Sequence, residues 1–387
     1  MNYSSFIQRF VRLGLYTERM TTQAISRESH EAIYLHAWNL VTHASYATLK
    51  KLYERYGGFE KAWHAMPPSQ LDPLAEWKKF QSQYPEMTLM TYDDPAYPML
   101  LKQLKKAPFS LYIQGEHGPH CADESEMAHT NLSIVGTRRP SPYGILQTQK
   151  IVQELSLYPI VIVSGLAKGV DTLAHETALL EGLPTWAIIG HGHDYLPEQQ
   201  HDLVKQILKN GCIMSEYPPG TPPEKFRYPE RNRIIAGLSG ITVVTEAPQS
   251  SGANITAKLA REEDREVFAL CADIDRRACQ GNLDLIEQQI AAPLTSCKLL
   301  VEALGCKTTR EHSERGRPSP SPSLTLRDPI MQSIVSILNY KNTTTFGEIL
   351  DSTGIKNVGE LLEKLTMLEI DGMVSMVGGG YILTTDR

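Results

Sequence analysis

Leu132-Ser-Ile-Val-Gly136 reads as a buried strand that breaks at a glycine, and Thr137-Arg138 follows at the corner. Tyr143–Leu157 then has amphipathic spacing, and Ile160–Ser164 is a second apolar, β-branched run, closed by Gly165-Leu-Ala-Lys-Gly169. Working outward, such runs recur at Thr185–Ile189, Cys212–Ser215, Ile241–Thr245 and Val267–Leu270. Amphipathic stretches separate them at Thr172–Glu181, Glu198–Asn210, Arg233–Leu238 and Asn254–Glu263. Near-continuous apolar strands alternating with helices predict a parallel sheet covered on both faces. The fold class is therefore α/β, with a Rossmann-like doubly wound domain.

A parallel sheet collects its strand ends along one edge, so the corners after the strands face one crevice. Four pieces meet there. Gly136 and Thr137 open the first corner, and Arg138 can fork onto two phosphate oxygens. Ser164, Gly165, Lys168 and Gly169 repeat the device after the second strand. Arg231, Asn232 and Arg233 follow Tyr228-Pro229, and residues 225–233 hold four positive charges against Glu224 and Glu230. Arginines two apart cannot share a helix face, so they reach two anions, or one anion and one structural carboxylate. Ser251, Gly252, Asn254 and Thr256 offer hydroxyls and N–H groups at a helix start. Phe226 and Tyr228 could stack bases. Plainer readings stand beside these: surface ion pairs for the arginines, a solvated Lys168, an ordinary capped turn at 250–256 and core packing for the two aromatics.

Enzyme signatures are missing from the sequence. There is no G-x-G-x-x-G fingerprint after the first strand, no G-x-x-x-x-G-K-[ST] loop and no G-x-S-x-G elbow. His191-Gly-His193 lacks further ligands at useful spacing, so neither a metal nor a cofactor is expected. Asp171 reads as a helix cap, His175 as a structural histidine, and Ser141 as the cap of the first helix. Glu216 and Glu246 end strands, where carboxylates commonly bond backbone or arginine. Anion binders without a nucleophile–base pair favour binding over catalysis.

The chain has 387 residues, 41% hydrophobic and 21% charged, enough for two or three globular domains. Its net charge of −6 confines any nucleic-acid contact to a local basic patch. Six scattered cysteines with no C-x-x-C pair fit a reducing, cytoplasmic setting. No apolar run approaches the ~20 residues of a membrane helix. Met1–Met20 lacks the continuous apolar run of a signal peptide.

Ser29–Ala65 has helical spacing, broken at Tyr56-Gly-Gly-Phe59 and restarted over Glu60–His64. A Gly-x-Gly hairpin of the kind that holds nucleic-acid backbones is absent, with Val41-Thr-His-Ala44 in its place. Pro67–Glu86 reads as a linker, and Pro108–Gly115 as an entry strand. At the other end, residues 306–326 are rich in Ser and Pro and read as an extended linker. Ile330–Leu338, Phe346–Thr353 and Val358–Ile370 are helical, the last with Val358, Leu361, Leu362, Leu365 and Leu368 on one face. Met373–Val377 and Tyr381–Leu383 form a hairpin, so residues 327–387 read as a winged helix. Five Lys/Arg against eight Asp/Glu in that span argue for protein contact rather than duplex binding.

Taken together, Ile134-Val-Gly-Thr-Arg138 with Tyr143-Gly144, Ser164–Asp171 with Ala174-His175, Tyr228–Ser239, and Ser251–Ala257 resemble the DNA-processing protein A family (DprA/Smf). The likeness runs from about Tyr92 to Ala303, and departs where Leu270-Cys-Ala272 replaces a usual Val-Pro-Gly. It implies a helical (SAM-like) domain at 1–86, an extended Rossmann-like domain at 87–305, a linker and a winged helix. It also implies a cytoplasmic, non-catalytic protein that binds single-stranded DNA and helps load RecA recombinase in natural transformation. Further implied partners are a second copy in a homodimer and a single-stranded-DNA-binding protein. The alternative is an enzyme of the nucleotide phosphoribohydrolase type, whose Pro-Gly-Gly-x-Gly-Thr pattern is replaced here by Pro248-Gln-Ser-Ser-Gly-Ala-Asn254.

Overall fold

A computed structural model describes residues 17–68, 70–119, 130–305, 329–338, 343–355, 357–370, 373–377 and 380–383. The expected Pro/Ser-rich linker at 306–326, and Cys121 and Cys306, lie outside the described residues; of Met1–Met20, so do 1–16.

The chain opens with helices α1 (Thr17–Thr42), α2 (Tyr46–Tyr56) and α3 (Phe59–Ala65). His43 and Ala44 take left-handed φ values of 53° and 54°, so a hairpin without glycine makes the α1–α2 turn. Gly57, at φ 69°, ends α2. The expected linker at Pro67–Glu86 is instead largely a helix, α4 (Pro73–Gln83). Asp72 caps it by accepting the Leu74 N–H at 2.9 Å, and Pro73 occupies the first turn, where its missing N–H costs nothing. Strand β1 (Met87–Thr91) and short helix α5 (Met99–Lys102) lead to β2 (Ser110–Gln114).

The doubly wound part then alternates β3 (Thr130–Val135), α6 (Pro142–Leu155), β4 (Ile160–Ser164), α7 (Val170–Leu180) and β5 (Thr185–Ile189). It continues through α8 (His201–Asn210), β6 (Gly211–Ser215), α9 (Arg227–Leu238), β7 (Ile241–Val244), α10 (Gly252–Glu262) and β8 (Glu266–Leu270). α11 (Gln280–Glu287), β9 (Ala292–Leu294) and α12 (Cys297–Leu304) complete it. All nine strands form one sheet, ordered β1-β2-β6-β5-β4-β3-β7-β8-β9. Strands β3 to β9 run parallel, whereas β1 and β2 are antiparallel additions at one edge. This is a mostly parallel, extended Rossmann-like sheet. The parallel core is the one expected from the sequence, and the two antiparallel strands extend it at one edge.

Side chains alternate between the sheet's two faces. Leu132, Ile134, Ile160, Ile162, Ile241 and Val243 pack under α6, α7 and α12. Val161, Val163, Val244, Val267 and Ala269 pack on the other face with Ile234, Ile235, Ala253, Ala257 and Leu285 from α9, α10 and α11. From β3 the chain winds one way through β4 to β6, then returns to β7 on β3's other side. The strand order therefore reverses between β3 and β7, and the crevice beyond their carboxyl ends is the fold's binding position.

The last described segment has α13 (Pro329–Ile337), α14 (Phe346–Thr353) and α15 (Val358–Ile370), with a three-stranded sheet of β10 (Thr344–Thr345), β11 (Val374–Val377) and β12 (Gly380–Leu383). Thr345 and Glu348 close a capping box at the start of α14. Leu361, Leu365 and Leu368 are the buried stripe of α15, while Val358 and Leu362 are 54% and 51% exposed. The apolar face expected from sequence is thus narrower than it looked.

Candidate functional site

The β3 corner is fixed by backbone. The Thr137 N–H donates to the Glu246 carbonyl at 2.6 Å, and the Val170 N–H donates to the Thr137 carbonyl at 3.1 Å. Gly136 is demanded by packing: a Cβ there would lie 2.6 Å from Val170 Cγ2 and 2.9 Å from the Glu246 carbonyl oxygen. Gly169, at φ 90°, lets the β4–α7 loop close on the same corner. In that loop Leu166 takes φ 56° and is buried, a left-handed conformer at a strand–helix junction.

Gly165 makes room for a buried charge pair. An added Cβ would fall 1.6 Å from Arg231 Nη1 and 2.7 Å from Asp171 Oδ2. Asp171 therefore does not cap α7, a position Gly169 takes. Its carboxylate accepts the Ala167 N–H at 3.4 Å and faces Arg231. Burial raises the Asp171 pKa, and the Arg231 charge pulls against that rise. Burial likewise lowers the Arg231 pKa, with Asp171 opposing. Arg231 is 5% exposed, and its Nε has no hydrogen-bond partner.

Two adjoining cavities open over this pair. The first, about 370 Å³, lies at the reversal point and is lined by Gly136, Thr137, Arg138, Arg231, Asn232, Ser251, Gly252 and Thr256, as well as by Asp171. Gly252 is open here: nothing lies within 4 Å of where its Cβ would be. The second, about 400 Å³, is lined by Gly165 and Lys168 with Arg139, and shares Arg138, Tyr228 and Arg231 with the first. The Arg138 guanidinium lies 5.8 Å from the Tyr228 ring centroid. Arg138 and Lys168 are exposed, and neither has a carboxylate at ion-pair distance among the described residues. Ser250, the first residue of the 250–256 turn, lines the first cavity; Arg139 lines the second and was missed in the sequence, where its only signal is that it adjoins a predicted contact.

Other expected contacts point elsewhere. The Ser164 hydroxyl is buried and donates to the Ile134 carbonyl at 2.6 Å. Arg233 binds the buried Glu216 carboxylate, Nη2 to Oε2 2.6 Å, and lies 5.6 Å from the Tyr46 ring centroid. Asn254 donates to the Pro248 and Gln249 carbonyls at 3.1 and 3.0 Å, so it holds the loop rather than offering its amide N–H groups. Gly169 underlies the crevice without lining it. Phe226 is exposed beside Arg227 and lines neither cavity. The dense basic island at 225–233 dissolves, because Arg227 is buried against the Pro222 carbonyl and Glu224.

Ser141 caps α6 as expected, accepting the Gly144 N–H at 3.3 Å. Its hydroxyl and N–H also donate to Glu246, at 2.6 and 2.7 Å. Burial raises the Glu246 pKa more than these bonds lower it. A carboxyl whose folded pKa exceeds its unfolded value stabilises the fold below the unfolded pKa, and that help is lost as pH rises through the folded pKa. Glu246→Gln should therefore raise stability at pH 7, with the gain fading as pH falls into the carboxylate range. Urea denaturation at several pH values checks this, and a loss at pH 7 that acid does not change would contradict it.

His175 donates to or accepts from the Thr185 hydroxyl at 2.7 Å, and burial holds its pKa down at about 3. It is a neutral core residue. Among the described residues no group of three or more His, Cys, Asp or Glu converges as a metal site. Among them, too, no helix is long and apolar enough to cross a membrane.

Fold and crevice together define a class: an extended Rossmann-like protein with a cationic crevice at its reversal point and no nucleotide fingerprint. A family profile described as DNA recombination-mediator protein A matches residues 88–305. Protein Smf of Synechocystis is 33% identical over 396 residues, spanning 90% of this chain and 98% of its own. The chain belongs to the DNA recombination-mediator protein A family. DNA processing protein DprA of Streptococcus pneumoniae is 37% identical over 57% of this chain and 74% of its own. Its X-ray structure matches with a TM-score of 0.54 at 36% identity, covering 60% of this chain and 78% of that one. DNA processing protein A from Helicobacter pylori, described for its single-stranded DNA binding mode, matches with a TM-score of 0.50 at 28% identity, covering 57% and 95%.

Proposed function

We propose that the crevice grips the sugar–phosphate backbone of single-stranded DNA without reading its sequence, in the service of DNA processing. The observation that carries this is the pair of exposed cations Arg138 and Lys168, without a carboxylate partner among the described residues, flanking the buried Arg231 at the reversal point. Fixed charges and helix-start N–H groups hold phosphates and ignore base edges. Tyr228, beneath Arg138, is the stacking surface for a base. The relative from Helicobacter pylori, described for the same ligand, supports the reading. The protein is not a catalyst, and works in the cytoplasm as a homodimer. It delivers the coated strand to RecA recombinase, beside a single-stranded-DNA-binding protein, in natural transformation. Residues 1–86 and 327–387 flank the DNA-binding domain at 87–305. The acidic C-terminal module, a winged helix by its order of elements, contacts protein.

Anisotropy titration of oligonucleotides of different base composition, over a salt series, tests the crevice. Arg138→Ala and Lys168→Ala should each weaken all sequences alike and lower the salt slope by roughly 0.7 to 1. An unchanged slope, or a loss confined to one base composition, would count against the crevice as the binding surface.

A further inference from the structure

The crevice has a third chamber. A cavity of about 430 Å³ opens between Pro248–Ser250 and the segment with Arg277 and Gln280, at the start of α11. It shares Pro248 and Ser250 with the reversal-point cavity. That cavity shares Arg138, Tyr228 and Arg231 with the one over the β4–α7 loop. Three chambers thus adjoin through common walls along the carboxyl edge of the sheet.

The third chamber has its own cation. Arg277 is exposed, and among the described residues it has no carboxylate partner. Its neighbour Arg276 is committed elsewhere, 3.8 Å from Asp273 and 4.3 Å from the Tyr143 ring centroid. The rest of the chamber wall, Pro248, Gln249, Ser250 and Gln280, carries no acid. A groove free of acid, with one guanidinium that no described carboxylate pairs and walls shared with its neighbour, has the chemistry of one more phosphodiester contact.

We propose that a bound DNA strand runs through all three chambers and passes over Arg277, which holds a phosphate beyond those at Arg138 and Lys168. This rests on the single-strand reading of the crevice. It assigns a role to the 273–282 segment, which the sequence motifs leave out.

The test compares the full chain with Arg277→Ala, Arg277→Lys and Arg138→Ala, on oligothymidylates of about four and about sixteen nucleotides. On the longer strand Arg277→Ala should weaken binding roughly threefold at moderate salt and lower the salt slope by about 0.7. Arg277→Lys should keep the slope. On the short strand, which the central chambers hold alone, Arg277→Ala should change nothing, while Arg138→Ala should lower the slope on both. The proposal is overturned if Arg277→Ala leaves the long-strand slope intact while Arg138→Ala lowers it; the crevice reading then stands. Equal losses on both strands place Arg277 within the central grip and overturn the extended path. Slopes unmoved in both alanine variants remove the proposal and the crevice reading together.

Discussion

Arg231→Ala is expected to remove about 2–3 kcal/mol of single-strand affinity and to weaken the fold as well. Arg231 is a buried guanidinium between two chambers, with an Nε that no described residue satisfies. A phosphate arriving there meets a desolvated, prepositioned donor, so the contact is worth more than one at the rim. Removing it also leaves Asp171 buried without its positive neighbour, which costs stability at neutral pH. Protonation relieves that cost. With Arg231 gone the Asp171 pKa rises further, so the variant should be least stable at neutral pH and recover in acid. The double variant Asp171→Asn with Arg231→Ala should regain stability at pH 7 and stay weak for DNA. Denaturation at two pH values and anisotropy titration separate the two effects. A single variant that binds like the parent would remove Arg231 from the interface.

Gly169→Ala should also lose much stability, about 3 kcal/mol or more. The residue holds φ 90° and ψ −128°, which a side chain disfavours. Its Cβ would also fall 2.4 Å from the Thr137 carbonyl oxygen and 2.8 Å from Arg138 Cα. Those are backbone atoms and cannot swing aside, so the two corners must part and Arg138 must move with them. Gly182→Ala is the matched control, at φ 74° with nothing within 4 Å of the new atom. It should lose about 1 kcal/mol from strain alone. Urea midpoints measure both, and near-equal losses would show that the corner contact contributes nothing.

Much of the central sheet could be read from the chain. The six expected runs became β3 to β8, because strands buried on both faces are written as unbroken apolar, β-branched segments. The strands that escaped are the exceptions to that rule. In β1, Met87-Thr-Leu-Met-Thr91 has no β-branched apolar residue, and β9 is three residues long with Pro293 inside. The site was legible as a set of corners but not as a set of directions. Arg231 and Arg233 are equivalent in sequence, yet about 200° apart around α9. One turns to the crevice and the other to Glu216, a division only the rotation of the helix against the sheet decides. Ser164 sits on a strand's last residue, where its hydroxyl bonds the neighbouring strand instead of the solvent beyond.

The helices at the start of the chain are fastened to the sheet's antiparallel edge by polar bonds as well as by packing. The Asn39 amide donates to the Ser110 hydroxyl at 3.0 Å and to the Tyr112 hydroxyl at 3.1 Å. His36 Nδ1 lies 2.9 Å from the same phenol, with its pKa held down at about 4 by burial. Ala32 and Phe80 cover Met87, Leu89 and Tyr112. A recombinant fragment cut to begin at β1 would strip that cover, baring a greasy outer strand with a free hydrogen-bonding rim, a recipe for precipitation. Trimming the chain to the family-matched span is therefore the wrong economy for anyone preparing it, since insolubility of such a fragment would say nothing about the crevice at the sheet's carboxyl edge.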